Sequence, residues 1–134
     1  MPIEPARLEL LSALARKALW LSSWTIHHAN HVRPNVDGLK VGGHQASSAS
    51  LATIMTALYF RSLRPQDRVA VKPHASPNFH AIQYLLGQQT REKLENFRGY
   101  KGAQSYPRAR KMPTTSTSPP ARSASASRKR CSRR

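Results

Sequence analysis

Apolar residues recur at helical spacing early in the chain. Leu8, Leu11, Ala15, Ala18 and Leu19 share one face, and Leu10, Leu14, Leu21 and Trp24 widen it. This pattern predicts one long helix from Ala6 to about His31. It should end near Arg33-Pro34, because the residue before a proline avoids the helical region. The next stretch, "NVDGLKVGG", is rich in turn residues and reads as a loop. From about Ser47 the spacing of Leu51, Ile54, Met55 and Leu58 predicts a second amphipathic helix, running to about Leu63.

Pro65 and Asp67 then mark a turn, and "RVAVK" is a short β-branched run that reads as a buried strand. Ser76-Pro77 is a good helix start, with an N-cap hydroxyl followed by proline. Phe79, Ile82, Leu85 and Leu86 supply the face, and Gly87 the stop. Thr90 should cap a last short helix that ends before Gly99, with Glu92 favourable in its first turn. The order is helix, loop, helix, strand, helix, helix. A single strand makes no sheet, so residues 1–106 read as the first piece of an α/β domain, mostly helical as it stands.

Charge divides the chain. Its net charge is +16, yet residues 1–106 hold 13 Lys and Arg together with all six acidic residues. Residues 107–134 hold nine Lys and Arg, no acid, one Met and no Leu, Ile, Val or aromatic residue. Such a segment cannot bury a core and is expected to be a disordered basic tail. Its charge could contact nucleic-acid phosphates nonspecifically, which is the competing reading of function. Against that reading, the tail has no aromatic residue to stack on bases and the remainder has no basic stripe. The one cysteine, Cys131, makes no internal disulfide. No apolar run approaches the roughly 18–20 residues of a membrane span, and the N-terminus lacks a signal-peptide pattern. A cytoplasmic setting, bacterial or organellar, is the expectation.

Six histidines suggest chemistry. His27 and His31 stand at i, i+4, a spacing that can chelate a metal. No third ligand is placed to complete such a site, and imidazolium is equally at home at the negative end of a helix; no metal site is assigned. His44 and His74 differ. His44 follows Gly42-Gly43, and His74 follows Lys72-Pro73 with Ser76 close behind; each precedes a predicted helix. Free N–H groups at a helix start suit phosphate, glycine allows close approach to the backbone, and histidine can donate to phosphate or act as acid or base near neutral pH. Spacing alone also allows two loop histidines without a role.

The stretches "GLKVGGHQASSASLATIMTALYF", "VAVKPHASPNFHAIQYLLG" and "TREKLENFRGYKGAQSYP" resemble, in that order, the N-terminal part of the thiamine-diphosphate-binding domain of the transketolase superfamily. The branch they most resemble is the homodimeric pyruvate dehydrogenase decarboxylase subunit. The resemblance covers about residues 8–107. It implies an α/β fold with a parallel sheet between helices, a cofactor at a dimer interface whose diphosphate is held through magnesium, and a 2-keto acid or keto-sugar substrate. It implies that His44, behind Gly43, faces the reacting centre, and that His74 and Ser76 lie near the cofactor diphosphate. His80 acquires no role from it.

After Tyr106 the chain departs from the family. The resemblance implies a glycine-rich cofactor segment, a Gly-Asp-Gly segment with a downstream Asn, and a second domain with an activating glutamate, none of which is seen in residues 107–134. The expectation is a truncated fragment, inactive alone. Starting one base earlier at Met112, the codon families of the tail become compatible with Asp-Ala-Asp-Asp and then with a glycine-rich run like the family's. The expectation is therefore a frameshift, and the nucleotide sequence decides it: DNA unable to encode Gly-x-x-Gly-x-Gly in the shifted frame removes the idea.

Overall fold

Helix α1 spans Pro5–His27, with proline in its first turn, where a missing N–H costs nothing. A computed structural model describes residues 4–34, 38–41 and 45–107 of the chain. After α1 the helix widens into a π turn over His28–Val32, closed by the Arg33 N–H donating to the His28 carbonyl at 2.9 Å. Arg33 is extended, as its place before Pro34 requires.

Only the C-terminal half of α1 is buried. Ala18, Leu21, Ser22, Thr25 and Ile26 face the core, and Ala29 continues that face into the π turn. Ser22 and Thr25 bury their hydroxyls by donating to the Leu19 and Leu21 carbonyls. Leu8 and Leu10, expected on or beside the buried face, are 54% and 60% exposed. Leu8 and Leu11 line an open groove shared with Ala52, Ala57 and Arg61, so the first turns of α1 lie beside that segment without being covered by it.

The predicted second helix is present in pieces: α2 over Gln45–Ser50, α3 over Ala52–Ala57, and a π turn over Leu58–Ser62. Leu51 separates α2 from α3, its N–H reaching back three residues to Ser48. Met55 and Tyr59 are buried, whereas Ile54 points outward.

The expected strand is corrected. Residues 68–72 are not helical, and Val69 and Val71 pack against the core. Arg68 makes a lone β-bridge, but a strand needs a continued row of paired N–H and C=O groups, which residues 69–72 do not show. The described part is mostly helical and holds no β-strand, so the parallel sheet of the α/β reading is not seen in it.

A 3₁₀ turn at Pro73–Ala75 leads into α4, Ser76–Leu85. The placing of Ser76 at the N-cap is also corrected. The Ala75 N–H already bonds the Lys72 carbonyl at 3.0 Å, so helical rotation starts earlier, and Ser76 has helical angles. Every residue from Ser76 to Gln83 is buried, making α4 the central element. At its end Gly87 has φ +72°, its N–H bonds the Tyr84 carbonyl, and the Gln88 N–H bonds the Gln83 carbonyl. That bond pair is a Schellman stop, which requires a left-handed residue where glycine stands. Helix α5, Arg91–Glu95, follows Thr90. The Glu92 carboxylate, in its first turn, is held below the usual range by backbone N–H and then by the Thr90 side chain.

Ala18, Met55, Tyr59, Phe79 and Ile82 form one apolar cluster; Ala29, Phe97 and Ala103, with Val41 beside them, form another. Tyr59 meets Phe79 edge-on at 6.1 Å. Burial raises the Tyr59 phenol from 10.0 to about 12. A phenol whose pKa is higher folded than unfolded contributes stability at neutral pH that is lost as pH rises from about 10 to about 12. Urea titrations across that window should show a shallower loss for Tyr59→Phe than for the parent chain. Parallel curves would remove Tyr59 as the cause.

Candidate functional site

The elements around the predicted site residues are cross-braced. Helix α2 packs against the 3₁₀ turn, α4 and α1. The Gln45 side-chain amide donates to the Ser23 carbonyl at 3.3 Å, and the buried Asn78 amide donates to the Ser48 carbonyl. The start of α2 is thereby tied to α1 and its fourth residue to the first turn of α4. Gly43 and His44 lie outside the described residues, as do Met112, Cys131 and the whole of 108–134.

His74 and Ser76 are described and differ in kind. His74 is exposed on the 3₁₀ turn. Ser76 is fully buried, and its hydroxyl donates to the Pro73 carbonyl at 2.8 Å. With prolines at 73 and 77, this bond fixes the turn that carries His74. The pair shares one turn but not one surface.

The chain after α5 folds into a loop fixed by its own backbone: Ala103 N–H to the Lys93 carbonyl at 3.0 Å, and Arg98 N–H to the Ala103 carbonyl at 2.7 Å. Gly102 lies so close to the Asn96 carbonyl that any Cβ would strike it. Arg33 clamps the loop from the far side, donating to the Asn96 side chain and to the Phe97 carbonyl at 2.9 Å. His80 holds it from α4. Its Nε2 donates to the Gln104 carbonyl at 2.8 Å, and its Nδ1 accepts from the Gln89 amide at 3.2 Å. A carbonyl can only accept and an amide nitrogen can only donate, so these partners set a neutral imidazole with its proton on Nε2. Between this loop and the 3₁₀ turn lies a cavity of about 520 Å³, lined by Pro73, Arg98, Gln104, Ser105 and Tyr106.

His27, His28 and His31 are not among the residues that line this cavity. The rings of His27 and His31 stand 4.9 Å apart, and His28 lies against Trp24 at 5.0 Å. Among the described residues no group of three or more His, Cys, Asp or Glu is placed to hold a metal ion. Among the same residues no helix is long and apolar enough to cross a membrane.

Comparison with known proteins gives a consistent result. The chain is 34% identical over 121 residues to the pyruvate dehydrogenase E1 component of Escherichia coli K12, a match covering 84% of this chain and 13% of that protein. It is 36% identical over 105 residues to the pyruvate dehydrogenase E1 component of Mycobacterium tuberculosis, covering 70% of this chain and 11% of the relative. For the one from Cupriavidus necator the identity is 38% over 82 residues, covering 54% and 9%. The chain is thus related, over a fragment, to E1 components of pyruvate dehydrogenase, and spans about 13% of the length of the E. coli relative. No protein-family model matches it, and no solved structure is a significant match.

Proposed function

We propose that residues 8–107 are the N-terminal portion of the thiamine-diphosphate-binding region of an E1-type 2-keto acid dehydrogenase of the transketolase superfamily. The observation that carries this reading is the 34% identity over 121 residues to an E1 component, a match that takes in most of this chain. In the intact enzyme thiamine diphosphate, with magnesium, would supply the electron sink for decarboxylating a 2-keto acid. His44 would exchange a proton with the reacting substrate, and Gly43 would leave room for the approach. The exposed His74 fits a diphosphate neighbour, because its turn is fixed and its imidazole can donate. The Ser76 hydroxyl already donates its hydrogen bond to the Pro73 carbonyl, so Ser76 would act by holding that turn. The described residues do not by themselves fit a magnesium site, and no step is assigned to the metal.

Three results are expected. The 134-residue polypeptide alone, given thiamine diphosphate, magnesium and pyruvate, should show no turnover above the cofactor in solution; clear turnover would remove the reading of it as a partial site. Residues 8–107 grafted in place of the matching segment of the E. coli E1 component should retain thiamine-dependent decarboxylation. In that graft His44→Ala should lower kcat by about 10²–10⁴, the usual worth of a positioned acid–base group. An unchanged kcat would sink the role of His44.

A further inference from the structure

Helix α1 carries both tryptophans of the chain, Trp20 and Trp24, one turn apart. We propose that they form, with Lys17, Tyr84 and Arg91, a binding site for a small aromatic carboxylate. The site lies where α1 meets the end of α4 and the start of α5. It shares no residue with the place read for thiamine diphosphate and goes beyond that reading.

Shape comes first. The cavity holds about 270 Å³ and is lined by those five side chains together with Leu21 and Leu94. Both leucines are buried and give it an apolar base. The two indoles are stacked, with ring centres 6.3 Å apart and planes 12° from parallel. Trp20 is nevertheless 56% exposed. An indole left open on a cavity wall adds little to the core, and its face is the surface a bound ring would cover.

The polarity of the lining is one-sided. Its polar side-chain groups are two indole N–H groups, an ammonium, a guanidinium and a phenol, and only the phenol can also accept a hydrogen bond. No Asp, Glu, Asn or Gln lines the cavity. Neither indole N–H has a hydrogen-bond partner among the described residues. Arg91 donates its Nε to Glu95 at 2.7 Å, which leaves the terminal guanidinium nitrogens to serve another acceptor. The Lys17 Nζ stands 5.1 Å from the Trp20 ring centre, so positive charge sits beside the aromatic wall. Two cations and a set of donors disfavour a cationic ligand and select one with a flat apolar body and a negative, acceptor-only end. A carboxylate is such an end. Size narrows the class further. A volume of about 270 Å³ lies just under the range of about 300–1,000 Å³ typical of ligand pockets, so the ligand is a single ring or a fused pair with one acid group.

The test uses the full chain. Trp20 and Trp24 are its only tryptophans, so indole fluorescence excited beyond tyrosine absorption reports this cavity directly. The probes are benzoate, cyclohexanecarboxylate, benzamide and acetate, at constant ionic strength set with chloride. Benzoate should change the emission with saturation at millimolar concentration. The other three lack the aromatic face, the charge or the ring, and each should bind about threefold or more weakly. Lys17 and Arg91 are both exposed, so Lys17→Gln and Arg91→Gln should leave the thermal midpoint nearly unchanged. Each should weaken benzoate about threefold, and the double variant about tenfold, as exposed charges do. A linear response to benzoate, equal affinity for benzamide or acetate, or parent-like affinity in the double variant would each overturn the proposal. Equal binding of cyclohexanecarboxylate would overturn the aromatic class. If a variant fails to fold, the four-probe series on the parent chain still decides.

Discussion

Phe97→Ala should cost about 3–5 kcal/mol of stability, the range for emptying a fully buried aromatic site. Phe97 has no exposed surface, and it is the large side chain of the second apolar cluster, with Ala29 and Ala103. Its ring meets His80 edge-on at 6.1 Å. Its carbonyl takes the Arg33 guanidinium at 2.9 Å. One residue thus joins the π turn after α1, helix α4 and the loop that follows α5. Small neighbours such as Ala29 and Ala103 cannot expand to fill the space, so the cavity term should be large. Domains of this size have about 5–15 kcal/mol in total. With a urea slope of about 1–3 kcal/mol per molar, the midpoint should fall by about 2 M. Phe97→Leu, which keeps most of the volume, should lose less than half as much. A Phe97→Ala midpoint within 0.3 M (about the error of such fits) of the parent would mean that this cluster is not part of the cooperative unit.

Different parts of this architecture were legible in the sequence for different reasons. The long helix through α1, its stop before Pro34 and the Gly87 stop after α4 follow from local rules. Pro34 restricts its predecessor whatever the fold, and Gly87 has the one side chain that a left-handed stop accepts freely. The strand at "RVAVK" was misread because β-branched residues report burial as much as strand. Val69 and Val71 are partly buried against the first cluster, and only Arg68 beside them makes a β-bridge. Leu8 and Leu10 were misplaced because periodicity finds a face but not what covers it.

The candidate site divides along the same line. His74 was visible from proline and serine spacing. The distinction between His74, exposed, and Ser76, buried and bonded to Pro73, depends on the 3₁₀ turn, which no motif marks. His80 carried no motif role, because its partners Gln89 and Gln104 are distant in sequence and common residue types. Arg98 was seen only as part of a family-like "FR", since its left-handed backbone comes from a bond to Ala103 that spacing does not reveal.

The second large effect is expected at His80. Its imidazole is 6% exposed and has both nitrogens engaged. His80→Ala removes a ring packed edge-on to Phe79 and Phe97 and leaves the Gln104 carbonyl without its donor. Cavity and lost hydrogen bonds together should cost about 2–4 kcal/mol. His80→Phe restores the volume but not the donor, so it separates the two effects and should recover about half. The loss should also be local before it is global. Once Gln104 is released, the bonds of Arg98 and Ala103 within the loop are the next to open, because they hold that segment against α5. Amide exchange at Arg98 and Ala103 should therefore rise in both variants by more than at Ile82, which lies in the first cluster. Equal acceleration at all three amides would show that His80 stabilises the fold as a whole and does not pin the loop.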